Sequence, residues 1–461
     1  MLIIDDKQGD LLEGWIPDGF LKLSEELSFA DKALDDARVM EPFLKGAKFT
    51  GRPTTAIATY LRLMYLKFRY QMSYEALVRE VSDSYKWRRF CHLSLMGKVP
   101  DDKTLIKLTG RYGEVGVRAV FDTVVKRGVE AKVIRGRKMR MDTTVTESNI
   151  HYPTDTGLLS DGVRVVTRTV KKIKEVLKLK TRFRSRARAM KWRMIKLVKF
   201  MKGRKKKVKG SFRRAKEGVL CLARKVWENA TEVLKEMREG KTPLKEATEV
   251  GAVSAVVLER ELQRWLELFN RVIRQTRTVL DGNVHIPQRL VSFFDEGARP
   301  IQKGKLFPKT EFGRKVLIQE AEHGVVTGWQ MHEGNPPDQP MMKDAIDRHE
   351  KMFGVAPREL AADRGFHLSG QDEELHGRGI VHVSIPVKGN KTPLRKRTER
   401  SAWFRRLQRW RAGGEAKISL LKRKYGLRRT AVRGDVSTAG WIGWGIITHN
   451  LVMMSRLGMG P

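Results

Sequence analysis

The residues whose types and spacing can do chemistry are three carboxylates on separate elements, Asp142, Asp363 and Glu415, with Arg411 and Lys422 flanking the last. On a helix, Arg411, Glu415 and Lys422 share one stripe. It runs beside a buried face on which Trp403, Leu407, Trp410, Gly414, Ile418, Leu421 and Tyr425 recur at steps of four and three. Gly413 and Gly414 weaken such a helix by roughly 1 kcal/mol each relative to alanine, so something must approach its backbone closely there. Three carboxylates brought together can hold two hard divalent cations, because Mg²⁺ and Mn²⁺ prefer carboxylate and water oxygens. Two such ions activate a nucleophile and stabilise the leaving oxygen in phosphoryl transfer. Taken singly, each residue also has an ordinary reading: Arg411 and Glu415 as a solvated i,i+4 pair, and each aspartate as a turn or cap residue.

These side chains need elements to position them. Met139, Met141, Thr143 and Val145 alternate with Lys138, Arg140, Asp142 and Thr144, which predicts a strand over 137–147 with Asp142 on its polar side. Arg358 to Asp363 reads as a short strand ending on a carboxylate. Gly313–Ala321 and Val325–Glu333 read as a hairpin turning at His323-Gly324. A helix opens at Asp338 and closes at Gly354, another lies near Gln371, a strand spans Ile380–Val387, and a last helix carries Trp441, Trp444, Ile447 and Leu451. The first 130 residues read as helical: Ile57, Leu61, Met64 and Phe68 step by four and three, Ser73 caps a second helix, and a third follows Pro100-Asp101-Asp102. With Arg69, Lys86, Arg88 and Arg89 exposed near Trp87, these helices can form a helix-turn-helix DNA reader or a plain helical bundle. Asn149 to Gly162 reads as a turn-rich link.

The chain has 461 residues, 41% of them hydrophobic, room for a sizeable core and two or three domains. Its formal charge of +39 exceeds what solubility needs and points to a polyanion, nucleic acid before membrane. Between Arg164 and Lys216 there are 24 Lys or Arg against Glu175 alone, interleaved with Val170, Ile173, Leu177, Trp192, Ile195 and Leu197. A solvated face accounts for short charge runs, but this many cations repel one another unless anions lie nearby. The segment is expected as basic helices broken near Gly203–Gly210, with Lys178, Arg184, Lys205, Lys206 and Lys207 gripping DNA. Thr242-Pro243 signals the start of a further long helix. Cys91 and Cys221 are too few for a disulfide framework or a thiolate zinc site, which suggests a reducing compartment. Met1 to Phe20 carries Asp5, Asp6, Asp10 and Glu13 with no basic lead into an apolar run, so no secretory signal is expected. No run reaches about 18 apolar residues, and even Trp441–Leu457 is interrupted by Thr448, His449 and Asn450. His151, His367 and His382 are expected to be turn or core residues rather than ligands. The expected architecture is α/β (α+β overall) in three parts: a helical DNA-binding domain at 1–130, a catalytic domain at 131–164 and 295–461, and a basic helical insertion at 165–294.

Met141-Asp142-Thr143-Thr144-Val145-Thr146-Glu147-Ser148-Asn149-Ile150-His151-Tyr152-Pro153-Thr154-Asp155 resembles the first-Asp motif of the DDE transposases of bacterial insertion sequences, and Ala361-Ala362-Asp363-Arg364-Gly365 resembles their second. Arg411, Glu415 and Lys422 match the Arg-Glu-Lys part of that family's Tyr-Arg-Glu-Lys signature, while its tyrosine position is Gln408 here. Gly51-Arg52-Pro53 through Val99-Pro100-Asp101 is similar to the N-terminal domain common in these transposases. The resemblance implies a ribonuclease H-like mixed sheet with flanking helices. It also implies a protein that binds the inverted-repeat ends of its element as a homodimer, cuts there, and joins the 3′-hydroxyl to target DNA. In that family's terms Asp142, Asp363 and Glu415 hold two Mg²⁺ ions, or Mn²⁺ in their place, and Arg411 and Lys422 steady phosphates. The implied location is bacterial, cytoplasmic and nucleoid-associated. No Walker A loop occurs, so ATP is not expected. The alternatives are a metal-dependent nuclease without strand transfer and a non-catalytic, domesticated DNA-binding protein.

Overall fold

The computed structural model describes residues 3–5, 14–44, 54–177, 181–202, 209–239, 249–302 and 309–458. It divides into two compact units, one formed by Met1–Asn149 with Ile301–Pro461 and the other by Ile150–Pro300. The first opens with α1 (Asp18–Leu21), α2 (Glu25–Leu34), α3 (Ala37–Leu44), α4 (Ile57–Arg69), α5 (Tyr74–Asp83), α6 (Tyr85–Phe90) and α7 (Asp102–Glu130). Caps fix several of the starts. The Ser73 hydroxyl accepts the Ala76 N–H at 3.0 Å and the Asp101 carboxylate accepts that of Thr104 at 2.5 Å, both where the sequence signals helix starts. The cations expected on this segment's surface mostly bond internally. Arg69 pairs with Glu26 at 2.6 Å, Arg88 donates to the carbonyls of Ser82, Ser94 and Gly97, and Arg89 donates to that of Leu21. Lys86 alone of the four is exposed. α4 is buried along Ile57–Phe68. Among the described residues, three of the four cations named for a helix-turn-helix reader thus bond within the unit, Arg69 to a carboxylate and Arg88 and Arg89 to backbone carbonyls.

The second unit is helical: α8 (Asp155–Leu177), α9 (Ala187–Lys202), α10 (Lys209–Arg238) and α11 (Glu249–Leu280). α8 packs on α10 and α11, and α9 on α8 and α10. Leu159, Val163, Val166 and Val170 meet Val219, Ala223, Val226 and Val233, with Leu262, Phe269 and Val272, in one apolar core. α8 begins within the stretch read as a turn. Gly162 lies inside this helix because Phe269 and Phe293 leave no room there for a Cβ. The unit accordingly starts at Ile150, ahead of the expected 165. On α9, Arg188, Lys191, Arg193, Lys196 and Lys199 are exposed, as is Arg184 before it. Lys178, Lys205, Lys206, Lys207 and the Thr242-Pro243 signal lie outside the described residues.

The sheet belongs to the first unit, with β2 at its boundary. Its strands are β1 (Lys138–Glu147), β2 (Arg299–Ile301), β3 (Glu311–Glu320), β4 (Val326–His332), β5 (Glu359–Ala361) and β6 (His382–Ser384). They run in the order β2-β3-β1-β5-β6, with β4 also pairing with β3. β3 is antiparallel to β1 and β4, and its hairpin turns where His323 and Gly324 take left-handed φ of 59° and 72°. β5 and β6 run parallel to β1. Helices follow in the sequence α12 (Gln339–Phe353), α13 (Gln371–Gly377), α14 (Pro393–Arg400), α15 (Ala402–Lys424) and α16 (Asp435–Arg456). One sheet face buries Met139, Met141 and Leu317 against Met341, Ile346, Phe366 and Leu375. The other sends Val316 and Ile318 into a core shared with Trp329, Trp444, Ile447 and Leu451. α16 packs on α2, α4, α7 and β4, so the N-terminal helices share a core with the sheet rather than closing one of their own. No helix among the described residues is long and apolar enough to cross a membrane.

Buried histidines make this unit acid-sensitive. His349 holds the Gly136 carbonyl through Nε2 at 2.9 Å, and burial pushes its pKa from 6.5 down to about 4. Unfolded, it takes a proton near 6.5; folded, it resists until about 4. The unfolded state thus binds more protons in that window, and stability falls by about 3 kcal/mol as pH drops across it. His349→Gln, which keeps a donor without titrating, is expected to flatten the fall in urea midpoint between pH 6.5 and 4.

Candidate active site

The site is built where β1, β5 and α15 meet. The parallel register of β1 and β5 runs Lys138↔Glu359, Met139↔Leu360, Arg140↔Ala361. Two residues past that last pair stand Asp142, inside β1 and paired with Ile318 of β3, and Asp363, just beyond the end of β5, so the two sit on adjacent segments despite their separation in sequence. Both are half-buried. Asp142 Oδ1 accepts the Thr143 N–H at 2.7 Å, and Asp363 caps the short turn Arg364–Phe366 by accepting the Gly365 N–H. A Cβ on Gly365 would lie 2.8 Å from both Asp363 Oδ1 and Asp338 Oδ2. That glycine therefore lets two carboxylates approach. Asp338 is held by Lys315 Nζ at 2.7 Å.

α15 crosses the same strand ends. Gln408 Nε2 donates to the Ser384 carbonyl at 2.6 Å and reaches that of Ala362, the residue before Asp363, at 3.3 Å. Two residues on, Arg140 reaches up from β1 to the Trp410 carbonyl, lies over the Trp410 ring, and pairs with Glu320 of β3 at 2.7 Å. A Cβ on Gly413 would sit 3.1 Å from this guanidinium and one on Gly414 3.4 Å. This is the close approach the paired glycines signalled. Burial raises the Glu320 carboxyl above its ordinary range and the Asp142 charge adds to this, while Arg140 and Lys417 oppose it. Behind it Lys417 Nζ lies 3.2 Å from His449 Nε2, and burial holds that imidazole neutral down to about 3.

Glu415 follows on the stripe of Gln408 and Arg411, its side chain 67% exposed, with Arg411 Nη2 at 3.5 Å. Lys422, largely covered, lies 3.8 Å from Glu311 at the start of β3. The oxygens of Asp142, Asp363 and Glu415 do not all fall within 4.8 Å of one another; among the described residues, ligand atoms of Asp5, Asp35 and His92 do. One member of that second cluster, Asp35, pairs with the fully buried Arg62, which also pairs with Asp31 at 2.7 Å, so a guanidinium already brings positive charge there. The sequence reading missed Arg140, Glu320 and Asp338. Charged side chains on a strand read as solvent-facing, and only the glycine pair marked a covered one.

Two family models match the chain: "Transposase domain (DUF772)" over residues 17–111 and "Transposase DDE domain" over residues 279–451. Together they cover more than half of it. The chain belongs to the DDE transposases of insertion sequences. Over 141 residues it is also 27% identical to the uncharacterized protein ORF8 in the nfe locus of Rhizobium meliloti, across 30% of this chain and 68% of that protein. No solved structure matches it significantly. The transposase's six-stranded sheet, in which β3 is antiparallel to β1 and β4 while β5 and β6 continue parallel to β1, is ribonuclease H-like. Proteins of this family act on DNA, and DDE domains use divalent metal ions.

In this transposase Arg140, paired with Glu320, is a buried tie from the sheet to the Trp410 carbonyl of α15. Removing one partner of such a pair costs about 3–5 kcal/mol, because the other is left charged and buried. Arg140→Met is expected to lose stability on that scale in chemical denaturation, and adding Glu320→Gln should restore most of it.

Proposed function

We propose that this transposase binds the inverted-repeat ends of its element, cleaves the DNA there and joins the freed 3′-hydroxyl to target DNA. The observation that carries the reading is Asp142 on β1 with Asp363 just past the end of its parallel neighbour β5, under a helix anchored at the ends of β5 and β6 and bearing Glu415. The donor set fits Mg²⁺ or Mn²⁺: carboxylates from three elements, two of them half-buried, with no thiolate or imidazole in the constellation. Asp142 and Asp363 would hold one ion between them and Glu415 would complete a second site. When bound, such ions supply Lewis-acid stabilisation of the scissile phosphate and a nucleophile at neutral pH.

The chain's own groups do the rest. Arg411, beside Glu415, offers a planar fork to a phosphate, and Lys422 a point charge once the DNA competes with Glu311 for it. Arg184 and the exposed cations of α9 grip duplex backbone without reading bases. The working assembly is a homodimer on synapsed ends, acting without ATP in a nucleoid-associated, cytoplasmic setting.

Two measurements test this. Replacing Asp142, Asp363 or Glu415 by Asn or Gln keeps volume and removes the charge that holds a cation. Folding and end binding should survive, while cleavage and joining of labelled ends to a plasmid both fall by orders of magnitude. Glu415→Gln decides most, since loss of an exposed pair with Arg411 costs at most about 1 kcal/mol of stability and would leave joining intact. A protein that cleaves but never joins would instead be a nuclease. Neutralising Lys191, Lys196 and Lys199 should weaken binding to every duplex and flatten the log-affinity against log-salt slope by about 0.9 for each phosphate no longer neutralised. An unchanged slope would put the DNA elsewhere.

A further inference from the structure

Gln408 stands where the family signature has its tyrosine, and its amide bridges the strand ends to the charged stripe of α15. Nε2 donates to the Ser384 carbonyl at 2.6 Å and to Ser384 Oγ at 3.1 Å, with the Ala362 carbonyl at 3.3 Å. Ser384 is fully buried and its hydroxyl donates onward to the Phe404 carbonyl at 3.1 Å, which leaves its oxygen lone pairs to accept from Gln408. The other end of the amide, Oε1, accepts from Arg411 Nε at 3.1 Å, and Arg411 Nη2 lies 3.5 Å from Glu415. An unbroken chain of polar contacts thus runs from the backbone beside Asp363, through Gln408 and Arg411, to Glu415.

We propose that Gln408 is a positioning residue: held by the ends of β5 and β6, its amide aims Arg411 so that Glu415 is held at one distance from Asp363. The proposal rests on the reading of these carboxylates as one metal-dependent centre. An amide suits this place because it presents two N–H donors and a carbonyl acceptor at its tip. A phenol offers one hydroxyl, so tyrosine cannot serve Ser384 and Arg411 in the same way. A methionine fills the volume and serves neither. Gln408 acts through Arg411, so its effect must disappear when Arg411 is gone. A residue that merely steadied α15 would keep its effect in either background.

The test is a double-mutant cycle on the full-length protein, read as single-turnover joining of pre-cut element ends at saturating DNA. Gln408→Met is expected to lower the joining rate constant about tenfold, to raise the Mg²⁺ concentration for half-maximal rate, and to leave the half-saturating DNA concentration and the melting temperature nearly unchanged. Gln408→Glu keeps the acceptor for Arg411 but points a carboxylate at two carbonyls, and is expected to lose as much. In an Arg411→Ala background, Gln408→Met is expected to change the rate less than twofold. Equal effects in both backgrounds, or a wild-type Mg²⁺ requirement in Gln408→Met, would overturn the proposal while leaving the metal reading in place. Joining by Asp142→Asn at the wild-type rate would overturn the metal reading, and the proposal with it.

Discussion

The candidate site depends on a helix lying low over a strand, and the interaction that allows it is a buried guanidinium. Arg140 rises from β1 into α15, takes the Trp410 carbonyl, and is neutralised by Glu320 from the neighbouring strand. Desolvating that ion pair is costly, and what it confers is geometric rather than a net gain in stability. A helix resting on apolar side chains can slide by a turn. One tied through its backbone carbonyl to a charge on the sheet has a fixed axial position. Gly413 and Gly414 are the consequence, since side chains there would press on the guanidinium. Position then passes along the helix stripe, from Gln408 over β5 and β6 to Arg411 and Glu415.

Burial likewise separates the two kinds of cation in the chain. In the first unit arginines are used as braces: Arg62 between Asp31 and Asp35, Arg88 across three carbonyls, Arg314 between Asp435 and Ser148. In the second, Arg289 still braces Asp155 and Arg193 the Gly218 carbonyl, but Arg188, Lys191, Lys196 and Lys199 stand out from α9 beside its apolar core. Unbalanced surface charge destabilises a compact unit by self-repulsion. Its presence on a well-packed bundle therefore fits a polyanion partner better than a structural purpose.

The elements that carry the three carboxylates were legible in the sequence because each has a local signal. β1 alternates apolar and polar residue types, the α12 helix ends on Gly354 with φ 78°, and the α15 face repeats at three and four. What sequence could not supply is which charged residues are covered. Arg88 and Arg89 read as exposed and are closed onto carbonyls. Arg140 read as the polar side of a strand and is buried beneath α15. The start of α8 was hidden because Pro153 and Gly157 carry turn signals, which the run Leu158, Leu159, Val163, Val166, Val170 overrides by burying one face. Gln408 registered as a departure from a signature, since nothing in one sequence reveals the three oxygens around its amide nitrogen.

The central claim is that Asp142, Asp363 and Glu415 form one cation-holding centre, and it can be tested without the element's DNA. Fe²⁺ bound in place of Mg²⁺, given ascorbate and peroxide, releases hydroxyl radicals that cut the chain beside the ligands. The account predicts cuts next to all three carboxylates in the same sample, competed by Mg²⁺ and lost together in Asp142→Asn. Cuts that spare these positions, or that gather only around Asp5, Asp35 and His92, would contradict it.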